Sequence, residues 1–157
     1  MTKKRFWLIF ATIILTLLAG AAQSGHLFAV AGIRPNLVLI FLVVAAFFVE
    51  NLFLYCLFIL AATTAIRFGP GISTEALALA LVALLAFAVK QRAIWPGLWG
   101  SCILIFFGTF GLYLIVAPQF IYQHLSIVLM EIGYNLVLGT ILFEAINFYA
   151  RRSRITI

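Results

Sequence analysis

The chain alternates between long apolar runs and short polar stretches. The apolar runs are residues 6–22, 37–49, 52–66, 74–89, 98–117 and 125–150. Proline marks the three later interruptions, at Pro70, Pro96 and Pro118, as is typical of segments that end helices and form turns. Because most runs approach the roughly 20 apolar residues that a helix needs to cross a bilayer, the pattern predicts an all-α integral membrane fold with six transmembrane helices.

The central stretch, residues 36–66, admits two interpretations. It is apolar over 31 residues except at Glu50 and Asn51. One straight helix of that length would extend about 46 Å, whereas the hydrocarbon core is about 30 Å thick. The alternative is two short helices, the second and third spans, with a hydrated cytoplasmic turn at Glu50 and Asn51. If that turn lay inside the bilayer, Glu50 would need a cation such as Lys90 or Arg92 beside it.

The positions of the basic residues favour two short helices. With six spans and a cytoplasmic N-terminus, eight of the ten Lys and Arg residues lie inside, and only Arg34 and Arg67 lie outside. With one long central span, four lie inside and six outside. Since basic residues concentrate on the cytoplasmic side of membrane proteins, we predict a multi-pass protein of the bacterial inner membrane with both termini cytoplasmic.

The first apolar run carries a second pattern as well. Basic residues at positions 3–5 precede it, and the small residues Ala19, Gly20 and Ala21 close it. This order also resembles a cleavable signal peptide. We expect the run to be retained as the first span, with cleavage as the alternative.

Composition agrees with a membrane class. Hydrophobic residues make up 66% of the 157 and charged residues 9%, whereas a soluble domain is about 25% charged. No linker-like segment divides the chain, so we interpret residues 1–157 as a single membrane domain. The net charge of +6 comes from clusters at the ends of apolar runs, which indicates topology and a lipid bilayer as surroundings, with no nucleic acid as partner.

Residue types that commonly catalyse reactions or bind metals do not occur here in the combinations that such sites need. Cys56 and Cys102 each lie within an apolar run, where a cysteine behaves as a small hydrophobic residue. His26 and His124 have no Cys, Asp or third His at ligand spacing. We recognise no Ser-His-Asp set, phosphate-binding loop or pair of catalytic carboxylates, and therefore expect no enzymatic activity, no metal and no cofactor.

Residues 32–40 form the sharpest local motif, Gly-Ile-Arg-Pro-Asn-Leu-Val-Leu-Ile, after a predicted span and an external loop. The segment resembles the Arg-Pro-Asn entry to the second helix in the family of the rod shape-determining protein MreD. That family is also similar to this chain in a Gly-rich turn after the third helix, here 69–71, in an Asn on the last helix, here Asn135, and in a basic C-terminus. Many members carry an Asp near the end of the third helix, where this chain has Thr63 and Thr64, so no role of that acid is carried over.

The resemblance implies a non-enzymatic membrane component of the bacterial cell-elongation complex. Such a protein works beside an MreC-like protein, the actin-like MreB, RodA and a penicillin-binding protein, and couples peptidoglycan synthesis to rod shape. The family's fold is similar to that of the substrate-binding S-components of energy-coupling-factor vitamin transporters, which also have six helices with short ones early in the chain. A vitamin-binding S-component is therefore the alternative function.

The Arg-Pro-Asn motif supplies the first candidate site. Pro35 has a fixed φ and no N–H, which makes it a good first residue for a helix that enters the bilayer. Arg34 admits two interpretations: its side chain reaches lipid phosphate at the interface, or it pairs with an acceptor that sets the angle between the first two spans. We favour an architectural or partner-contact role for Arg34, Pro35 and Asn36, because the family resemblance rests on them.

The last run contains the second candidate site. Glu131 and Asn135 are one turn apart on the same helix face, about two and three turns from its start. An ionisable group at that depth is costly unless it faces protein or water, so we expect Glu131 to point inward. The pair serves either as interhelical hydrogen bonds or as a partner or ligand site. Four glycines, Gly108, Gly111, Gly133 and Gly139, are expected where helices approach closely.

Overall fold

A computed structural model describes residues 32–65, 73–92 and 97–153, together with Leu18, Gly20 and Ala21. Within these residues the regular elements are helices, which confirms an all-α fold. They are α1 (Leu37–Phe48), α2 (Leu52–Ala65), α3 (Thr74–Arg92), α4 (Gly97–Val116), α5 (Pro118–Gln123) and α6 (Leu125–Ser153). The predicted first span, residues 6–22, lies outside the described residues apart from positions 18, 20 and 21.

Three of the described helices are long and apolar enough to cross a membrane: Thr74–Arg92, Gly97–Val116 and Leu125–Arg151. Their outward-facing side chains are apolar too, for example Phe107 on α4 and Ile141 on α6, which are both more than 60% exposed. An aqueous protein rarely exposes a continuous apolar surface of this kind, whereas lipid solvates it. The chain is therefore a membrane protein.

The central stretch breaks where the sequence predicts. Helix α1 ends at Phe48 and α2 begins at Leu52. The side-chain oxygen of Asn51 accepts hydrogen bonds from the backbone N–H groups of Phe53 at 2.8 Å and Leu54 at 3.3 Å. These bonds satisfy donors that the first turn of a helix leaves without partners. Glu50 is exposed beside the turn, so the single long helix is wrong.

Helix α1 forms the centre of the bundle. Nine consecutive residues, from Val38 to Ala46, are buried, and the helix packs against α2, α3, α4 and α6. A helix that is apolar on every side is stable when neighbours cover all of its faces. Tyr55 of α2 joins this core, because its hydroxyl lies 3.1 Å from the Leu42 carbonyl oxygen and 3.2 Å from that of Ala83.

Two of the four predicted packing glycines lie at close helix contacts. A Cβ atom on Gly139 would overlap Ile105 Cδ1, and one on Gly108 would come within 3.3 Å of Val82. Within the described residues, Gly111 and Gly133 have no atom within 4 Å of that position, so for these two close packing stays a prediction. Close approach of α6 to α4 therefore depends on Gly139.

The segment after α4 differs from the prediction. The sequence predicts a turn around Pro118, but residues 118–123 form the short helix α5 with proline in its first turn. Proline suits that position, because the first helical N–H has no intrahelical acceptor and the ring already has a helical φ. Helix α5 brings Phe120 back toward α4, where its ring stacks on Tyr113 at a centroid distance of 5.7 Å.

Candidate functional site

The Arg-Pro-Asn motif forms the start of α1. The Asn36 side-chain oxygen accepts a hydrogen bond from the Leu39 N–H at 3.0 Å, so Asn36 is the N-cap of the helix. Pro35 is buried just before it. Gly32 has a φ of +82°, a conformation that glycine adopts without steric cost. The motif therefore first of all determines how the chain enters α1.

A hydrogen-bonded network joins this entry to two other helices. The Asn36 backbone N–H donates to the side-chain oxygen of Asn135 at 2.9 Å. The Asn135 amide nitrogen donates to Thr109 Oγ1 at 3.0 Å, and the Thr109 hydroxyl donates to the Ile105 carbonyl oxygen at 2.9 Å. Asn135 is completely buried, and a buried amide is stable only when its polar atoms have partners. The network thus connects the start of α1, the middle of α4 and α6.

Glu131 lies one turn before Asn135 and makes a further link to α4. Its carboxyl oxygen accepts a hydrogen bond from the Tyr113 hydroxyl. The side chain is half-buried and lines a cleft between helices, so it points inward as the sequence predicts. The same residue therefore makes an interhelical contact and forms part of a cavity wall, and the two interpretations of Glu131 are compatible.

The cleft has a volume of about 330 Å³ and lies at the end of the bundle where α1, α3 and α6 begin and α4 ends. Its walls combine polar and apolar groups. The polar residues that line it are Asn36, Glu75, Thr109, Tyr113 and Glu131. The others that line it within the described chain are apolar and include Leu79 and Phe120. Both predicted polar sites thus meet in one place, since Asn36 and Glu131 share this wall.

Sequence reasoning missed four polar or aromatic residues of the cleft: Glu75, Thr109, Tyr113 and Phe120. Glu75 had a usable signal, because it is an acidic residue in the first turn of an apolar helix. Thr109 and Tyr113 lie on the same face of α4, four residues apart, but they stand among apolar residues that show no periodic pattern. Their proximity to α6 arises only from packing.

Arg34 lies apart from this network. Its side chain is exposed, and it forms no ion pair with any carboxylate in the described part of the chain. Exposure at a helix entry fits the interfacial interpretation of Arg34, in which the guanidinium reaches water or lipid phosphate. An acceptor on the first predicted span would lie outside the described residues, so the pairing interpretation stays a prediction.

Metal-ligating side chains do not cluster within residues 32–65, 73–92 and 97–153: no group of three His, Cys, Asp or Glu residues there could hold an ion. Cys56 and Cys102 are free thiols. Comparisons of the chain with protein families, with curated proteins and with solved structures found no match. The resemblance to MreD therefore rests on the sequence features given above.

Proposed function

We propose that this chain is a non-enzymatic, six-span component of the bacterial cell-elongation complex, resembling MreD, in the inner membrane with both termini cytoplasmic. In this role it couples peptidoglycan synthesis to cell shape through contacts between its helices and those of an MreC-like protein, RodA and a penicillin-binding protein. The observation that carries the proposal is the hydrogen bond between Asn36 and Asn135.

That bond joins two separate elements of the family resemblance. Asn36 belongs to the Arg-Pro-Asn entry and Asn135 is the asparagine of the last helix, and the two positions are 99 apart in the chain. Two polar residues that resemble the family pattern at distant positions thus act as one structural unit. This supports a common cause for both resemblances, namely a specific arrangement of helices that partners recognise.

The distribution of charge in the bundle supports the proposed orientation. Lys90 and Arg92 lie in the last turn of α3 and Arg151 near the end of α6, at the end of the bundle opposite the cleft. Arg34 stands at the cleft end, before α1. Because the basic side faces the cytoplasm, the cleft faces outward in this arrangement.

Depletion and co-purification test the proposal. Depleting the protein in its own bacterium should convert rods to spheres, and a tagged copy should purify together with an MreC-like protein. Variant Asn135→Ala should reduce recovery of that partner, whereas Asn147→Ala, the same substitution three turns later on α6, should not. Normal rods after depletion, together with a tagged protein that purifies alone, would contradict the proposal.

The cleft favours a second candidate, a vitamin-binding S-component. Ligand sites in proteins are clefts of a few hundred Å³ with apolar walls and a few polar groups, and this cleft of about 330 Å³ has that composition. Gentle extraction followed by mass spectrometry of the bound small molecules discriminates the two functions. A co-purifying vitamin and a pair of ATPase subunits would favour the transporter, and an empty protein would count against it.

A further inference from the structure

We propose that the cleft binds a small organic cation, an ammonium group on an apolar or aromatic body, between the carboxyl groups of Glu75 and Glu131. The inference goes beyond the elongation function and does not rest on it. For the transporter alternative, it names the chemical class of the ligand.

The acidic residues in the walls of the cleft favour a cation as ligand. Glu75 and Glu131 both line the cleft, and none of the described residues that line it is basic. Lys90 is 15 residues from Glu75 along α3, and that separation corresponds to about 22 Å at 1.5 Å per residue. Arg34, at the same end of the bundle, pairs with neither carboxylate. Two acidic groups without a basic neighbour in the described chain repel an anion and attract a cation.

The position of Glu131 makes its carboxyl group available to a ligand in the cleft. The residue lies within α6, one of the helices long and apolar enough to cross a membrane, and is half-buried. Ionisable side chains within a span usually face a cavity or a partner, because hydrocarbon solvates charge poorly. The Tyr113 hydroxyl occupies one acceptor position of the carboxyl group, and a carboxylate can accept several further bonds. An ammonium group in the cleft would supply a further donor together with a positive charge.

The aromatic wall matches the body of such a ligand. The rings of Tyr113 and Phe120 are nearly parallel, with an interplanar angle of 11° and centroids 5.7 Å apart, and both residues line the cleft. An aromatic face attracts a cation within about 6 Å and also stacks on a flat apolar group. Tyr113 is held by Glu131 on one side and by Phe120 on the other, so the wall is organised before a ligand arrives, which lowers the entropic cost of binding.

Three probes of equal shape and different charge test the inference. Full-length protein in phosphatidylglycerol nanodiscs is titrated with 2-phenylethylammonium, 2-phenylethanol and phenylacetate, and binding is followed by saturation-transfer NMR. We expect the ammonium compound to bind at least about tenfold more tightly than the alcohol, the ratio that one charge-assisted hydrogen bond supports. Empty nanodiscs correct for adsorption of the cation to the lipid surface.

Matched variants assign the binding to the two carboxyl groups. Glu131→Gln should weaken binding of the ammonium probe about tenfold, and Glu75→Gln, at an exposed residue, by about threefold. Glu144→Gln, an exposed residue toward the opposite end of α6, should leave it unchanged. Gel filtration and thermal melting confirm that each variant is folded, and the comparison of the three probes on the unmodified protein needs no variant at all.

A lipid headgroup offers the same ammonium chemistry as a free ligand. Repeating the titration in phosphatidylethanolamine nanodiscs distinguishes the sources, because a headgroup in the cleft would weaken binding of the free probe and Glu131→Gln would abolish that difference. Equal affinities in both lipids would identify a free ligand. Binding of phenylacetate as tightly as the cation, unchanged affinity in Glu131→Gln, or no binding of any probe at millimolar concentration would overturn the inference. These measurements use isolated protein, so failure of the elongation proposal in cells is a separate result.

Discussion

The Asn36 backbone N–H donates a hydrogen bond of 2.9 Å to the side chain of Asn135, which is completely buried on the last helix. An N-cap residue has its own N–H outside the helical ladder, so this donor needs an external acceptor. Asn135 supplies it, and its amide nitrogen donates to Thr109 Oγ1. The start of the most buried helix is thus tied to α6 by a single side chain.

Replacing Asn135 should therefore destabilise the bundle. Asn135→Ala removes the hydrogen bonds to Asn36 and Thr109 and leaves the Asn36 N–H without its partner. Interhelical hydrogen bonds in membranes average about 0.6 kcal/mol, while an unsatisfied buried donor costs about 1–3 kcal/mol, so we expect a loss of about 1–3 kcal/mol. Unfolding in mild detergent measures the change. Asn147→Ala is the control, and an equal effect of both substitutions would contradict the assignment.

A side chain at position 139 should destabilise the protein unless Ile105 is replaced by a shorter residue. Gly139→Ala places a Cβ against the end of the Ile105 side chain, Cδ1, and the buried Ile105 must leave its rotamer to make room. Overpacking of this kind costs about 1–3 kcal/mol. Gly133→Ala, at an open position on the same helix, should be neutral or slightly stabilising. The double variant with Ile105→Val, which lacks the clashing atom, should recover part of the loss, and strict additivity in this cycle would argue against the contact.

The turn between α1 and α2 should depend on Asn51 and not on Glu50. Asn51→Ala removes the acceptor of two backbone N–H groups, and loss of an N-cap costs about 0.5–2 kcal/mol. Asn51→Asp keeps an acceptor and should restore most of the stability. Glu50→Ala, beside it and exposed, should change stability by less than about 0.5 kcal/mol. Thermal melting of the three variants measures these changes. A larger loss of stability in Glu50→Ala than in Asn51→Ala would contradict the role of Asn51 as N-cap.

Cysteine labelling tests the predicted orientation. In a background with Cys56 and Cys102 replaced by serine, a cysteine at Gln123 should react with a membrane-impermeant maleimide added outside intact spheroplasts. A cysteine at Glu50 should react only after permeabilisation, because the six-span prediction places the α1–α2 turn in the cytoplasm. Labelling of position 50 from outside, with protection of position 123, would reverse the topology.

Local physical chemistry made several elements predictable from the sequence. The break between α1 and α2 is predictable from the length of the central stretch, its two polar residues and the basic residues on either side. Span length and charge placement constrain each segment without reference to its neighbours in the fold. The bounds of α4 differ from the prediction by one residue at each end. Helix α5 was missed, since a proline that ends one helix is equally suited to begin the next.

The cleft and its polar network were decided by tertiary structure. In a membrane, buried and lipid-facing side chains are both apolar, so Val38 and Phe107 look alike in the sequence although one is completely buried and the other is 63% exposed. No amphipathic pattern tells which faces meet. The sequence alone determined that Asn36, Glu131 and Asn135 are costly in such surroundings and need partners. Only the packing of α1 and α4 against α6 determined that Asn36 bonds Asn135 and that Tyr113 bonds Glu131, because those contacts join residues whose separation along the chain carries no local signal.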